Sequence, residues 1–462
     1  MAALSDSVGT PGTPPRRRRI ARGELARKTV HIAVGLIAYA LRWLGPWWGA
    51  AAAAAAVVGN VFVLPRLGGR QLYREADHAR GHAIGMILYP LSVLLLIVAF
   101  HERLEVAAAA WGILAFGDGM ASIVGITLGR RALPWNPGKT WAGTAAYALF
   151  GGLGAWTLLL WTAPGRYEPG FALAVAAVAA GVAALLESMP HGLDDNLGVP
   201  MVVALLLLGL VLTQGGWGVV GEGAFLRALA VGAAVNLVLA ALGYLGRTVN
   251  VSGAVAGWVV GTVIWAFLGW QGYLLLIAFF VLGSGATKLG YRRKAAAKLA
   301  QEEGGRRGAR HALANVGVAL ACAVFAATTP YPLVFALAFA AAFATAASDT
   351  AGSEIGQLWG RRTFLLTTLR PVPRGTDGAV SLEGTLAGIA ASFLLGALGA
   401  AVGLYPWEGV WVVVVAAFVG TTLESLLGAT VERRGLLDNE AMNFLNTLVG
   451  ALVAAALAGW VV

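Results

Sequence analysis

Repeated apolar stretches of about 17–25 residues, the length a helix needs to cross a bilayer core, run from residue 29 to the end of the chain. Lipid offers no water to satisfy backbone groups, so each stretch is restricted to a helix that closes its own hydrogen bonds. The expected fold class is all-α: a polytopic integral membrane protein of about fifteen transmembrane helices. Composition agrees. Of 462 residues, 58% are hydrophobic and 12% charged, about half the charged share of a soluble domain. The 63 glycines suit helices held by small-residue fit, since lipid supplies no hydrophobic force between them. The single cysteine, Cys322, excludes an intramolecular disulfide and a cysteine-based zinc site.

The spans read at about 29–45, 47–64, 82–100, 105–128, 141–162, 170–187, 198–214, 225–245, 253–269, 272–288, 311–328, 331–350, 384–404, 408–426 and 443–461. Residues 1–28 read as a disordered basic, proline-bearing arm (Arg16 to Arg19) that makes no convincing signal peptide; a transit peptide is the alternative. The formal charge of +10 does not point to nucleic acid, because the basic residues sit in short loops between apolar spans. Placing the N-terminus inside sorts them: Arg66, Arg70, Arg74, Arg80, Arg130, Arg131, Lys139, Arg292, Arg293, Arg361, Arg362, Arg370 and Arg374 fall inside, and little beyond Arg42, Arg103 and Arg166 falls outside. The expected location is a prokaryotic inner membrane, with the N-terminus and the polar sites cytoplasmic.

An internal repeat organises the spans. Residues 118–131 read DGMASIVGITLGRR and residues 349–362 read DTAGSEIGQLWGRR, an ungapped D-x-x-[AG]-S-x-x-G-x-x-x-G-R-R. Further matches keep the same order: Lys28-Thr29 with Arg247-Thr248, Thr140-x-x-Gly143-Thr144 with Ser381-x-x-Gly384-Thr385, Glu187-Ser188 with Glu424-Ser425, and Asp195-Asn196 with Asp438-Asn439. A seven-span unit begins inside and ends outside, so a second copy in the same orientation needs one extra crossing, supplied by 225–245. The organisation expected is a membrane domain at 29–215, a linker with one connecting helix at 216–250, and a second membrane domain at 251–462, as two parallel seven-helix repeats.

Asp118 lies roughly 15 Å from the inner end of its span, where a carboxylate is expensive without a partner or a wet cavity. A structural pair with an arginine is the bland alternative to a catalytic role. Ser122 and Gly125 share its helix face at i+4 and i+7, leaving it flat enough for a neighbouring helix or a nucleotide. Asp349, Ser353 and Gly356 repeat the pattern, with Glu354 added. Lys139 sits in the loop Asn136-Pro137-Gly138-Lys139-Thr140 that opens the next helix at Trp141-Ala142-Gly143. Helix N-termini attract anions and the ammonium adds a point charge, so the loop suits phosphate; a snorkelling interfacial lysine is the alternative. Carboxylate oxygens suit Mg²⁺ together with substrate phosphates, and Asp118 with Asp195 is the expected metal pair. Asp349 with Glu354, and Asp438, are the second-copy counterparts. The second copy has no lysine matching Lys139, so its phosphate contacts are expected from Lys288, Arg292, Arg370 and Arg374, with Arg130 serving the first copy and Asp377 lying in the loop of the second.

Arg27-Lys28-x-x-His31, Phe116-Gly117-Asp118-Gly119-Met120-Ala121-Ser122-x-x-Gly125 and Pro134-Trp135-Asn136-Pro137-x-Lys139-Thr140-Trp141-x-Gly143-Thr144 resemble the CTP-dependent phytol kinase/dolichol kinase family. Residues 225–462 resemble the family containing plant phytyl-phosphate kinase, through Gly283-Ser284-x-x-Thr287-Lys288, Ser348-Asp349-Thr350-x-x-Ser353-Glu354-x-Gly356, Gly375-Thr376-Asp377-Gly378 and Asn443-Phe444-x-Asn446-Thr447. The two resemblances imply a bifunctional kinase that converts a prenyl alcohol to its monophosphate and then to the diphosphate, with CTP as co-substrate, Mg²⁺ as cofactor and the lipid bilayer as its medium. Catalytic roles would fall on Asp118, Lys139, Asp195, Asp349 and Asp438. The D-x-x-A-S and K-T-W-x-G elements also resemble, more distantly, phosphatidate cytidylyltransferases, which leaves CDP-lipid formation as an alternative. A transporter is the alternative from another class, since repeats and intramembrane charges mark carriers too.

Overall fold

A computed structural model describes residues 22–64, 66, 84–190, 195–246, 249–290, 308–431 and 437–461. The chain divides into two compact units, the first drawn from Met1–Pro190 and Asp194–Leu208 and the second from Gly209–Val462 with His191–Leu193. The protein is an integral membrane protein: among the described residues, eleven helices are long and apolar enough to cross a bilayer, and Gly85–Ala99 and Gly198–Leu212 are shorter apolar helices.

The first unit runs α1 (Arg22–Gly35), a 3₁₀ turn, α2 (Leu41–Val58), α3 (Ile84–Ala99), α4 (Leu104–Gly112), a π stretch at Ile113–Asp118, α5 (Gly119–Leu128), α6 (Trp141–Thr162) and α7 (Pro169–Ser188). The division between units falls within α8 (Gly198–Leu212). The second unit continues with α9 (Gly223–Leu245), α10 (Val251–Lys288), α11 (Ala309–Thr328), α12 (Pro332–Trp359), α13 (Leu382–Ala401), α14 (Gly409–Thr430) and α15 (Asn439–Leu457). Between α12 and α13 stands a small antiparallel sheet, β1 (Thr363–Leu365) paired with β2 (Ala379–Ser381). The sheet departs from the all-α expectation. Its strands carry β-branched and aromatic residues, and the connecting loop uses Gly375 and Gly378 at positive φ.

The two longest helical runs, Arg27–Val63 and Val251–Lys288, hold 37 and 38 residues. Straight, either would extend roughly 55 Å, far beyond a hydrocarbon core of about 30 Å. Each is broken by one glycine, Gly45 (φ 69°, ψ 176°) and Gly269 (φ 62°, ψ −162°). A Cβ on Gly49 would lie 2.6 Å from the Leu41 side chain, and one on Gly272 would lie 3.4 Å from Ile264. Residues eight apart in a straight helix are separated by roughly 12 Å, so the chain doubles back at both glycines. The breaks fall between the expected spans 29–45 and 47–64, and at the end of 253–269.

In the first unit α4 is buried over its whole length from Glu105 to Gly112. It lies against α6 so closely that a Cβ on Gly112 would reach within 3.2 Å of the Gly154 backbone. Buried Glu105 accepts hydrogen bonds from Arg103 (2.9 Å), Arg166 (3.1 Å) and Tyr167 (2.9 Å), tying two chain reversals together. In the second unit every residue of Ala336–Ser348 on α12 is buried, which marks a helix apolar all round as the centre of its bundle. The segment expected as a linker belongs to this unit: Tyr273 on α10 donates to Asn236 on α9 at 2.9 Å.

Both breaks occupy backbone angles that only glycine adopts without strain. Gly45→Val and Gly269→Val should each cost about 1–3 kcal/mol. The measurement is the thermal midpoint of the protein in detergent; an unchanged midpoint in both variants would mean that the reversals do not depend on these angles.

Candidate functional site

In the first unit the polar groups gather where α1, the π stretch and the α5–α6 loop meet. Lys28 on α1 donates to both carboxylate oxygens of Asp118, at 2.8 and 2.6 Å. His31, one turn further, places Nε2 3.5 Å from Asp118 Oδ2 and 3.3 Å from the Leu114 carbonyl. Trp111 donates to the Tyr89 hydroxyl at 2.9 Å, and that hydroxyl donates to the His31 carbonyl at 3.4 Å. Asp118 closes the π stretch, a widened turn that recurs at functional positions. Its partner is a lysine of the first span, not the arginine of the bland alternative.

The loop before α6 is folded by its own backbone: Leu133 N–H donates to the Lys139 carbonyl (3.0 Å), and Lys139 N–H to that of Asn136 (3.0 Å). Asn136 accepts from Gly138 N–H (3.1 Å) and donates to the Ser188 carbonyl (3.0 Å). Trp135 donates to the Ser188 hydroxyl at 3.2 Å. These bonds dock the loop on the end of α7, where Lys139 pairs with buried Glu187 and stands 3.6 Å from Asp195. Burial alone would lower the Lys139 ammonium, but Glu187, followed by Asp195 and Asp118, holds it above the ordinary lysine value.

Thr140 and the glycines form a joint. Thr140 caps α6 by accepting from Gly143 N–H at 3.2 Å. A Cβ on Gly143 would come 3.0 Å from the Ala121 carbonyl and 3.3 Å from Gly125 Cα. The flat face at Gly125 is therefore filled by the neighbouring helix, the packing alternative, and leaves no gap there for a nucleotide. Ser122 is half-buried on α5, and Arg130 is exposed just beyond that helix. The second unit builds the same joint: Ser381 accepts from Gly384 N–H at 3.1 Å, and a Cβ on Gly384 would come 3.3 Å from Gly356 Cα.

Above the second joint the structure opens a cavity of ≈ 670 Å³. Asp349, Ser353, Glu354, Asp377 and Glu424 are among its polar lining residues, and Val260, Leu276, Phe279 and Phe280 are among its apolar ones. Asn446 donates to Glu424, so the counterpart of Glu187 is gripped by an amide where the first unit uses Lys139. No lysine or arginine is among the described lining residues. Lys288, Arg370 and Arg374 are exposed outside the cavity, and Arg374 reaches the Leu358 carbonyl at 3.4 Å. Arg292 lies outside the described residues. Asp438 also departs from its expected role: it caps α15 through Ala441 N–H (2.9 Å) and pairs with Arg310.

The expected Asp118–Asp195 metal pair is instead held by separate lysines. Among the described residues no group of three or more His, Cys, Asp or Glu side chains is arranged to hold a metal. Sequence reasoning missed Lys28 as the partner of Asp118, although Lys28 and His31, at i and i+3, share one helix face. It also missed Thr421, Thr422, His311 and Asn315, which join the cavity wall. These sit on apolar spans with no motif of their own.

Residues 234–451 match the family described as integral membrane protein DUF92. The chain is 46% identical over 200 residues to an uncharacterized membrane protein of Synechocystis sp., covering 43% of this chain and 78% of that protein. It is 36% identical over 228 residues to protein VTE6, chloroplastic, of Arabidopsis thaliana, covering 47% and 68%. Over 205 residues it is 32% identical to probable phytol kinase 2, chloroplastic, of Oryza sativa subsp. japonica, covering 41% and 67%. No solved structure matches.

Removing Lys139 leaves buried Glu187 without its cation. Lys139→Met should lower stability by about 1–3 kcal/mol, less than for a fully buried pair because Lys139 is partly solvated. Adding Glu187→Leu should restore most of the loss, read as thermal midpoints in detergent. Because the lysine is raised on folding, its contribution is complete below the ordinary value of 10.5 and is lost only as pH climbs through the higher folded value. A wild-type minus Lys139→Met difference that shrinks between about pH 6 and 9 would contradict the pairing.

Proposed function

The chain belongs to the integral membrane protein DUF92 family, and from that premise we propose that it is a bifunctional isoprenoid-alcohol salvage kinase. The first unit transfers the γ-phosphoryl group of CTP to a prenyl alcohol, and the second phosphorylates the resulting monophosphate. In each step a P–O bond to the acceptor forms as the bond to the departing CDP breaks. The observation that carries the reading is the cavity of the second unit. Its lining combines several carboxylates with apolar and aromatic side chains, the complement of an amphiphile whose phosphate head arrives with cations. The relatives add support, since a protein named phytol kinase and protein VTE6 are each similar to less than half of this chain.

Phosphoryl transfer asks mainly for positioning and charge neutralisation. In the first unit Lys28, on Asp118, and Lys139, on Glu187 and Asp195, supply positive charge, and the docked loop fixes where the second of them stands. Asp349 and Glu354 are the groups that fit Mg²⁺ in the second unit, with Asp118 and Asp195 as the first-unit pair once substrate phosphates engage the lysines. The metal, when bound, neutralises charge on the phosphates.

We read the topology as fifteen spans: the eleven long helices, one more for each break at Gly45 and Gly269, and the two shorter helices. They form two parallel seven-helix repeats with α9 between them. The shared joints at Thr140 and Ser381 support the repeat, and the basic loops support a cytoplasmic placement of both sites.

The test uses purified protein, CTP labelled in its γ-phosphate, and a panel of prenyl alcohols and prenyl monophosphates. Asp118→Asn should reduce monophosphate formation at least about 100-fold and spare conversion of monophosphate to diphosphate; Asp349→Asn should do the reverse. The spared step also shows that each variant is folded. Loss of both steps together would mean one shared site. Pyrophosphate with a CDP-lipid would identify cytidylyl transfer, and uptake into proteoliposomes without nucleotide turnover would identify a transporter.

A further inference from the structure

Gly283 differs from several other buried helical glycines of the second unit. A Cβ on Gly384, Gly388, Gly420 or Gly450 would meet a neighbour at 2.9 Å or less, so those positions let helices touch. Gly283 is also buried on α10, yet a Cβ there would meet nothing within 4 Å. A buried position with empty space before it fronts an internal void, and Gly283 lines the ≈ 670 Å³ cavity. Glycine within a helix sacrifices helix stability, and here it gains no close contact in return. What it provides is space.

The surroundings say what the space is for. Leu276, Phe279, Phe280, Gly283 and Thr287 all line the cavity and recur at three- and four-residue steps, so they form one face of the second leg of α10. Thr287 lies in the last turn of α10, and Leu276 lies roughly 16 Å further back along the helix. Val260 faces the same space from the first leg. Along this face Gly283 stands between Thr287 and the apolar residues Phe280, Phe279 and Leu276. Phe280 is 44% exposed, which leaves this arm open sideways to the layer in which an isoprenoid tail is dissolved.

We propose that this arm of α10 receives the isoprenoid tail of the prenyl monophosphate and that Gly283 is the residue that sets which tail lengths are admitted. The inference rests on the kinase reading of the second unit. A side chain at 283 would cross the arm roughly 6 Å from Thr287, leaving room for one short branch and excluding a long tail.

Gly283→Ala and Gly283→Leu, in the full chain reconstituted in nanodiscs, would be assayed with prenyl monophosphates of five to twenty carbons. The preference for the twenty-carbon over the five-carbon substrate should fall about tenfold or more in Gly283→Leu, mainly through KM, and less in Gly283→Ala. Gly181→Leu, on α7 of the first unit where a Cβ also meets nothing within 4 Å, should keep the wild-type preference. An equal fall for all lengths, or none, overturns the assignment. In parallel, a prenyl monophosphate with a photoreactive group at its tail end should cross-link to Leu276, Phe279 or Phe280 in the wild type and lose those links in Gly283→Leu. Cross-linking without turnover would uphold the arm and refute the kinase reading. Turnover with cross-links elsewhere would do the opposite. Links abolished by excess phospholipid but not by unlabelled prenyl phosphate would identify an acyl-chain pocket and overturn the proposal.

Discussion

An ionised carboxylate within an apolar layer persists only where a cation and hydrogen bonds replace the water it has lost. In the first unit Lys28 meets that condition by giving both Asp118 oxygens a donor at 2.8 Å or less. The consequences spread outward. The pair fixes α1 against the π stretch, and His31, held beside Asp118, reaches the Leu114 carbonyl. Asp118 in turn acts on Lys139, whose own pairing with Glu187 holds the loop before α6 on the end of α7. Two lysines, one tied to half-buried Asp118 and one to buried Glu187, thus bring together four segments far apart in sequence.

The glycines decide how closely this can be done. At Gly143, and again at Gly384, helix backbones approach until a single added carbon would strike a carbonyl and crowd the Cα of Gly125 or Gly356. The hydroxyl of Thr140 or Ser381 caps the second helix of each pair at its first turn. With that joint shared, the units differ in what stands above it. Glu187 faces a lysine from the loop, whereas Glu424 is held by the amide of Asn446 and borders a cavity.

Much of the fold was legible because a bilayer restricts helix length so strictly. Apolar runs of 37 and 38 residues cannot cross in one piece, and Gly45 and Gly269 stand where the sequence reading divided them. Asp118 was legible from its depth alone. Its partner was not, since 90 positions separate it from Lys28 and periodicity carries no information about which helices meet. The face at Gly125 was ambiguous between a helix and a nucleotide for a related reason: a small residue records that something approaches, not what. The basic residues expected at phosphate misled because exposed arginines beside a membrane serve topology as well as binding. Arg374 reaches one carbonyl, that of Leu358 near the end of α12, and Arg370 is exposed. The cavity is assembled from α10, α11, α12, α13, α14, α15 and the β1–β2 loop: the motif residues Asp349, Ser353, Glu354 and Asp377 were legible, but no local pattern records that these segments enclose a space.

The contrast in charge between the two sites follows the order of the proposed reactions. A prenyl alcohol is neutral, so in the first step only the nucleotide brings negative charge, and two lysines beside Asp118 suffice to draw it in. A prenyl monophosphate is itself an anion, and fixed lysines alone would hold it and its diphosphate product alike. On the proposed reading, the carboxylates of the cavity lining, among them Asp349, Glu354, Asp377 and Glu424, would favour a phosphate that arrives with its cations. The apolar side chains of the same lining would hold the tail, so that chain recognition and phosphate transfer would share one cavity.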